Sequence, residues 1–359
     1  MYSFRLFAIA LLLGFLTITG SVPVGAADNA TELDLTCDDY TIPVKLSQDR
    51  LRTYSVVGRL CREGELAGKT LQVLISGAGY GPEYWDFSYE PETYSYVRAA
   101  ARAGFATFNL SRIGIGASDH PRGRLIDVQT NAYVVHQVIE HLRKQISSAK
   151  AFGDVVTVGH SLGSLVTLAH AVGFPGDTDG VLLTGFVHNT NPEFGPAIGA
   201  SSYRAIFDPR FFRQGYDLQY ITSRPGTRGD LFYYLPQADP AVIAHDEATK
   251  ETTTISEITT MSDYFTDLSL AIAVPVLVAI GDDDIVGCGG ELDCSDHTAV
   301  AELEQQFFAE ETCVETTVIE EAGHNLNLHY SAPQTYAVML DWAARRIGTD
   351  ASGPGEPCE

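Results

Sequence analysis

The sequence predicts an α/β fold in which a mostly parallel, doubly wound sheet is interrupted by a mainly helical insertion. Apolar runs of strand length alternate with helical periodicity along most of the 359 residues. Most of these runs are continuously apolar, which is typical of strands that are covered on both faces. The alternation stops near residue 188 and resumes near residue 268. We therefore predict one domain, made of residues 28–187 and 268–359, with residues 188–267 inserted as a cap.

The elements follow in chain order. Alternating residues at Tyr40–Lys45 and Tyr54–Leu60 predict antiparallel edge strands. Buried strands are predicted at Thr70–Ser76, Phe105–Leu110, Asp154–Gly159, Gly180–Val187, Ile272–Gly281 and Val314–Ile319. Helices are predicted at Glu92–Ala103, Asp127–Ser147, Leu162–Val172, Thr298–Glu310 and Ala332–Ile347.

Residues 1–27 have the pattern of a secretory signal peptide. Arg5 precedes an apolar run, and small residues end at Ala27. The run is shorter than the roughly 20 residues that span a bilayer, and an uncleaved anchor is the alternative. We expect no later membrane span and a secreted protein, in the medium or in the cell envelope.

Six cysteines in a chain with this leader predict disulfide bonds. Proximity along the chain favours Cys37–Cys61, Cys288–Cys294 and Cys313–Cys358, although other pairings remain open. Zinc is disfavoured, because no cysteine or histidine pair has the spacing of zinc ligands.

The formal net charge of −23 argues against nucleic acid and anionic membranes as partners, since both require clustered Lys and Arg. An acidic surface is also typical of soluble secreted proteins. A calcium site could form from Asp282–Asp284 with Asp293, Asp296 and His297, but a solvated acidic loop is the simpler interpretation. We expect no metal and no cofactor.

The sequence Gly159-His160-Ser161-Leu162-Gly163 lies between a predicted strand and a predicted helix. A G-x-S-x-G pattern in this context is typical of a nucleophile elbow, in which a tight turn projects the serine toward a base. We therefore predict Ser161 as a nucleophile.

Candidate partners for Ser161 follow later strands, and the carboxyl ends of parallel strands meet at one edge of a sheet. His324 comes directly after the last strand and is the predicted base. His329 is the nearby competitor, which we expect to be structural or pocket-lining. The turn Asp282–Asp284 supplies a carboxylate that could orient His324, with the choice among its three aspartates open.

The glycine-rich segment Ser76–Gly81 follows an early strand and predicts an oxyanion hole. The expected donors are the N–H groups of Leu162 and Ala78, with Gly79 or Tyr80 as substitutes for Ala78. Phosphate binding is the competing interpretation, but no Gly-Lys-Ser/Thr follows.

A substrate pocket with an apolar or aromatic wall is predicted beside this loop and under the insertion. Tyr80, Tyr84 and Trp85 are expected to line it. The insertion is rich in aromatic residues, including Tyr203, Phe207, Phe211, Phe212, Tyr216, Tyr220, Phe232, Tyr233, Tyr234 and Tyr264.

From about Tyr40 to Ile347 the chain resembles the α/β-hydrolase superfamily, and the order Ser161, Asp284, His324 is the family's order. Residues 109–119 look like its D-x-R-G-x-G-x-S segment, and Gly323-His324 looks like its terminal G-H. Residues 281–284 look like its G-x-x-D turn, which favours Asp284. Two departures are Ser76-Gly77 in place of His-Gly, and the absence of a proline after the acid turn.

The residues and the resemblance together predict a secreted serine hydrolase that cleaves carboxylic esters or lactones of hydrophobic substrates through an acyl-enzyme. A peptidase or amidase of the same fold is the alternative, as is a cofactor-free perhydrolase or cyclase. A binding protein that has kept the fold but lost catalysis is the non-enzymatic alternative.

Overall fold

Eight strands form a central sheet, and three shorter strands form a separate one. The computed structural model describes residues 33–146 and 151–350. The predicted signal peptide and Cys358 lie outside these residues. The strands are β1 Leu35–Val44, β2 Tyr54–Glu63, β3 Leu71–Ile75, β4 Ala106–Ser111, β5 Val155–His160, β6 Gly180–Thr184, β7 Ser202–Arg204, β8 Tyr220–Ser223, β9 Thr253–Thr254, β10 Val276–Gly281 and β11 Val314–Ile319.

The central sheet has the order β1-β2-β4-β3-β5-β6-β10-β11. Strand β2 is antiparallel to β1 and to β4, and every other neighbouring pair is parallel. The mostly parallel sheet with an antiparallel edge is thus confirmed. Its carboxyl edge at the centre is where Ser76, Ser161 and Asp282 follow β3, β5 and β10.

Ten α-helices flank these strands within residues 33–146 and 151–350. They are α1 Pro91–Tyr94, α2 Tyr96–Arg102, α3 Val128–Gln145, α4 Leu162–Gly173, α5 Phe194–Ser201, α6 Arg228–Phe232, α7 Pro240–Thr249, α8 Ile255–Thr260, α9 His297–Glu304 and α10 Ala332–Arg346.

The helices cover both faces of the sheet because the strand side chains alternate between two apolar cores. Val73 and Ile75 of β3 belong to the core that contains α3 and α4, whereas Leu74 belongs to the core that contains α2 and α10. A strand that is buried on both sides must be apolar throughout, as β3 is.

Two boundaries differ from the prediction for identifiable reasons. The helix predicted at Glu92–Ala103 is divided at Ser95, whose extended backbone ends α1 and whose hydroxyl accepts from Arg98 N to begin α2. Strand β10 begins only at Val276, directly after Pro275, which lacks an N–H for the sheet.

Two of the three predicted disulfides are confirmed. Cys37 and Cys61 face each other in the β1–β2 register and are bonded, and Cys288 is bonded to Cys294. The third predicted pair includes Cys358, which is outside the described residues.

The segment between β6 and β10 contains α5 to α8 and the small antiparallel sheet β7-β8-β9. Helical residues outnumber strand residues in this segment, and the small sheet is the part that the sequence does not predict. Among the described residues, no helix has the length and apolar character needed to cross a membrane.

Candidate active site

Ser161 occupies a sharp turn between β5 and α4. Its backbone has φ 55° and ψ −121°, a conformation that L-residues rarely adopt and that is typically held at functional sites. The turn needs glycine on both sides. A Cβ added at Gly159 would lie 2.4 Å from the carbonyl oxygen of Gly163. A Cβ added at Gly163 would lie 2.1 Å from the carbonyl oxygen of Ile75. The G-x-S-x-G spacing therefore reflects a close approach of β3, β5 and α4.

His324 and Asp284 are in contact behind this turn. His324 Nδ1 lies 3.0 Å and 2.9 Å from the two carboxylate oxygens of Asp284, and both side chains are almost completely buried. Of the three aspartates in the acid turn, Asp284 has this contact. Asp282 accepts a hydrogen bond from Ala322 N, and Asp283 is exposed, although partial desolvation and the nearby Asp282 raise its pKa.

Ser161 and His324 line the same cavity, but no hydrogen bond joins the two side chains in the described residues. Hydrogen bonds between a nucleophile and its base are often long in unliganded enzymes and shorten when substrate binds. The geometry therefore leaves the Nε2 side of His324 available to Ser161, because Nδ1 is engaged by Asp284.

The expected oxyanion donors lie on either side of Ser161. Leu162 is the first residue of α4, and the first N–H groups of a helix have no acceptor within it. Ala78 lines the same cavity as Ser161 and His324. An oxygen that develops negative charge at Ser161 would thus be close to the positive end of α4.

Two buried arginines hold the backbone of the predicted oxyanion loop. Arg112 donates from Nε to the Ser76 carbonyl (3.0 Å) and from Nη2 to the Gly77 carbonyl (3.1 Å). Arg228 Nη1 donates to the Gly79 carbonyl (3.2 Å). Three carbonyls of this loop are therefore fixed by charged donors, which form stronger hydrogen bonds than neutral ones.

Each arginine is paired with a carboxylate of the insertion. Arg228 makes a two-pronged contact with Asp246, with Nε–Oδ2 2.9 Å and Nη2–Oδ1 2.8 Å. Arg112 contacts the buried Glu257 of α8. Buried charges require such partners, because an isolated charge in the interior is strongly unfavourable.

Tyr80 is the pocket aromatic that the structure places beside the candidate site. It lines the cavity, its ring lies 4.0 Å from the Arg228 guanidinium carbon, and its hydroxyl accepts from Asn325 Nδ2 at 2.7 Å. Asn325 follows His324, so Tyr80 connects the predicted oxyanion loop to the turn that carries the predicted base.

Tyr84 and Trp85 do not line this cavity, in contrast to the sequence-based expectation. Tyr84 stacks on His160 with ring centroids 4.1 Å apart, and Trp85 packs against Tyr84 and Tyr96. Both are completely buried because they belong to the core that α2 and α10 cover. Tyr84, backed by Trp85, thus supports the ring of His160, the residue before Ser161.

His329 holds the turn that carries His324. Its Nε2 accepts from Gly323 N (3.1 Å) and Tyr234 N (2.9 Å), which leaves Nδ1 to donate to the Asn325 carbonyl (2.8 Å). Burial lowers the pKa of His329 to about 4, so the ring is neutral near pH 7 and can accept.

Two cavities adjoin Ser161. The smaller cavity, of about 230 Å³, contains Ala78, Tyr80, Arg228 and His324 in its wall. The larger cavity, of about 460 Å³, also contains Ser161 in its wall and extends past the ends of β6 and β10. Their common wall consists of Ser161, Phe194, Gly195, Ile198, Ile258 and Met261.

The cavity walls are apolar and include both aliphatic and aromatic side chains. Of the aromatic residues of the insertion, Phe194 lines both cavities, Phe232 lines the smaller one and Phe265 lines the larger one. Most of the others, such as Phe211, Tyr216 and Tyr220, pack in the interior of the insertion. Large aromatic side chains bury the most surface, so a region without much sheet uses them as its own core.

A second serine, histidine and carboxylate are in contact elsewhere. His188 Nε2 lies 2.9 Å from Ser269 Oγ, and His188 Nδ1 lies 2.8 Å from Glu304 Oε2, while His188 N donates to Glu304 Oε1 at 2.6 Å. Ser269 is 1% exposed and lines neither cavity described above. We call this set the buried brace, because it joins both ends of the insertion to α9.

Sequence reasoning missed the residues that act at a distance from Ser161. Arg228 holds the loop backbone, and Asp246 and Glu257 pair with the two arginines. Ile258 and Met261 line both cavities. Their partners are far apart in the chain, so periodicity gave no signal for them. Arg112 lay within a recognised motif but was assigned no role. Within residues 33–146 and 151–350, no group of three or more His, Cys, Asp or Glu side chains is placed to hold a metal ion.

Comparisons with known proteins agree with this architecture. Residues 72–338 match the family model described as "Alpha/beta hydrolase family". No curated protein matches the sequence. A thermophilic esterase from Thermogutta terrifontis has a similar structure, with a TM-score of 0.58 and 16% identity over 86% of this chain and 100% of that chain.

Two further solved structures are similar. Rv0554 from Mycobacterium tuberculosis has a TM-score of 0.54 and 18% identity, over 85% of this chain and 98% of that one. A monoacylglycerol lipase from Paleococcus ferrophilus has a TM-score of 0.51 and 15% identity, over 80% and 97%. At these identities the likeness concerns the fold.

Proposed function

Because the chain belongs to the α/β hydrolase family, we propose that it is a secreted serine hydrolase that cleaves carboxylic esters of hydrophobic substrates through an acyl-enzyme. One observation carries the proposal most directly. Ser161 occupies a strained turn and lines the same cavity as His324, and Nδ1 of His324 contacts both carboxylate oxygens of Asp284.

In the proposed reaction, Ser161 Oγ attacks the ester carbonyl while His324 Nε2 takes its proton. Asp284 keeps His324 in the correct tautomer and stabilises the imidazolium that forms. The N–H groups of Ala78 and Leu162 would stabilise the oxyanion, and each such donor is typically worth about 3–4 kcal/mol in the transition state. Water then cleaves the acyl-enzyme, with His324 as base again.

The walls of both cavities favour an uncharged, hydrophobic substrate. The charged Arg228 lines the smaller cavity, but its guanidinium is already paired with Asp246. A peptidase that recognises a charged terminus would need a free charged partner in the cavity. Lactones are cyclic esters and would react by the same steps.

Secretion is supported by the leader pattern of residues 1–27 and by the two disulfides. Disulfides persist in oxidising compartments and are rare in the cytosol. Cys37–Cys61 fixes the edge of the central sheet, and Cys288–Cys294 closes the loop that follows Asp284.

The test compares Ser161→Ala with Ser269→Ala on a panel of p-nitrophenyl esters. Ser161→Ala should lower kcat by at least about 10⁴-fold, because the nucleophile is lost. Ser269→Ala is the matched control, since Ser269 also contacts a histidine but is buried away from both cavities. The Ser269→Ala variant should retain its activity per folded molecule. It should also still be labelled by a fluorophosphonate probe.

Undiminished ester hydrolysis by Ser161→Ala, with the fold intact by circular dichroism, would reject Ser161 as the nucleophile. Aminoacyl anilides in the same panel separate esterase from amidase activity. Faster cleavage of the anilides than of the esters would instead support the peptidase alternative.

A further inference from the structure

The two cavities at Ser161 differ in chemistry as well as in size. The smaller cavity contains the residues that handle the carbonyl oxygen and the proton, namely Ala78 and His324. The larger cavity has about twice the volume, and neither the predicted oxyanion loop nor His324 lines it. A substrate that spans Ser161 therefore has different surroundings at its two ends.

The reaction proposed above determines which end of an ester enters which cavity. The bond between Ser161 Oγ and the acyl carbon forms, and the bond between that carbon and the alcohol oxygen breaks. The proton from Ser161 passes through His324 to the leaving alcohol oxygen. That oxygen must therefore lie next to His324, on the side of the smaller cavity.

The acyl chain then has the larger cavity available to it, which adjoins Ser161 but not His324 or Ala78. The inner wall of the larger cavity is apolar, with Leu165, Phe186, Val187, Phe265 and Val286 contributing to it. No charged residue is among those that line it. Its polar lining residues include the exposed Thr190 and the half-buried Asn191, so the cavity becomes polar where it opens toward solvent.

We propose that the enzyme prefers esters whose acyl group is apolar and larger than the alcohol, such as medium-chain fatty acid esters of short alcohols. The acyl group occupies the larger cavity and the alcohol occupies the smaller one. Val286 and Ile221 act as specificity-determining residues, because each lines one cavity and not the other. This inference rests on the proposed function.

The experiment uses two isomeric esters, methyl octanoate and heptyl acetate, which contain the same atoms but exchange the long chain between acyl and alcohol. Initial rates are measured with the full secreted chain by pH-stat titration. We expect kcat/KM for methyl octanoate to exceed that for heptyl acetate by at least tenfold. Equal values, or a preference for heptyl acetate, would overturn the inference but leave the esterase function standing.

Two half-buried aliphatic residues provide matched variants, one for each cavity. Val286→Trp narrows the larger cavity and should lower the ratio of the two kcat/KM values at least fivefold. Ile221→Trp narrows the smaller cavity and should raise the same ratio. Both variants are first compared with the wild type by thermal unfolding, and the ratio is independent of the fraction of active protein.

The outcomes separate the two levels of the argument. Ratios that shift in opposite directions support the assignment of the cavities. Ratios that shift in the same direction, or do not shift, overturn it. If neither ester is hydrolysed by the wild type while other acyl compounds are, the proposed function fails and this inference fails with it.

Discussion

Two of the serine, histidine and carboxylate sets in the described part of the chain, the candidate active site and the buried brace, differ in almost everything except their chemistry. Ser161, His324 and Asp284 follow three strands of the central sheet, and Ser161 adjoins two cavities. The buried brace of Ser269, His188 and Glu304 has the tighter serine–histidine contact, at 2.9 Å, but Ser269 is inaccessible. A hydrogen-bonded serine, histidine and carboxylate do not by themselves indicate a catalytic site, so the proposal for Ser161 rests on its access to the cavities and on its backbone strain.

The two sets also differ in what the carboxylate does. Asp284 contacts a histidine that faces a cavity, so its charge can stabilise an imidazolium that exists only during a reaction. Glu304 accepts hydrogen bonds from both the ring Nδ1 and the main-chain N–H of His188, and thereby holds the start of the insertion on α9. Replacing each carboxylate by its amide separates catalysis from stability.

The largest expected effect is that of Asp284→Asn on activity. The amide favours the wrong tautomer of His324, and a comparable change in a serine protease lowers kcat by about 10⁴-fold. Asparagine keeps the shape of aspartate and most of its contacts, so the midpoint of thermal unfolding should change little. The measurement pairs ester kinetics with differential scanning calorimetry, and a variant that keeps a tenth of the wild-type kcat would remove Asp284 from the proposed triad.

A smaller effect, on stability and not on chemistry, is expected from acid. His329 supports the His324 turn as a neutral ring with a pKa near 4, whereas its unfolded value is 6.5. Above pH 6.5 its contribution is complete. As the pH falls from 6.5 to 4, the unfolded chain gains a proton that the folded chain does not, and stability falls by up to about 3 kcal/mol.

Urea unfolding at pH 7.0, 5.5 and 4.5 measures this loss. The matched variant His329→Gln cannot titrate, although its amide oxygen can still accept from the main chain. It should show a shallower decline between pH 6.5 and 4. Parallel declines in the two proteins would assign the acid sensitivity to other groups, such as His160, whose pKa burial also lowers.

The smallest effect is expected from Glu304→Gln in the buried brace. The amide can accept only one of the two hydrogen bonds that Glu304 accepts, and an unsatisfied buried donor costs about 1–3 kcal/mol. The free energy of unfolding should fall by that amount, while kcat per folded molecule stays within about twofold. A large loss of kcat at unchanged stability would contradict the assignment of the brace as purely structural.

The sequence predicts well what is local and periodic. Strand and helix order, the antiparallel edge and the turn around Ser161 depend on neighbouring residues, and the structure reproduces the predicted order. The choice of Asp284 required the family resemblance, because Asp282 and Asp283 have the same chemistry and differ only in where the turn points them.

Contacts between distant residues could not be predicted in this way. Glu304 is separated from His188 by 116 positions, and Glu257 from Arg112 by 145, so no spacing rule applies to either pair. Tyr84 and Trp85 follow the predicted oxyanion loop closely in sequence, yet the next turn carries them into the core. Nearness in sequence to a functional loop does not determine which side chains face the cavity.

The two arginines that hold the predicted oxyanion loop limit how this enzyme can be re-engineered. Arg112 belongs to the sheet domain but is neutralised by Glu257, and Arg228 comes with Asp246 from the insertion itself. Exchanging residues 188–267 for the cap of a relative would leave Arg112 buried without its carboxylate. A chimera that replaces these residues would therefore have to keep a carboxylate at the position of Glu257, so that Arg112 can still hold the predicted oxyanion loop.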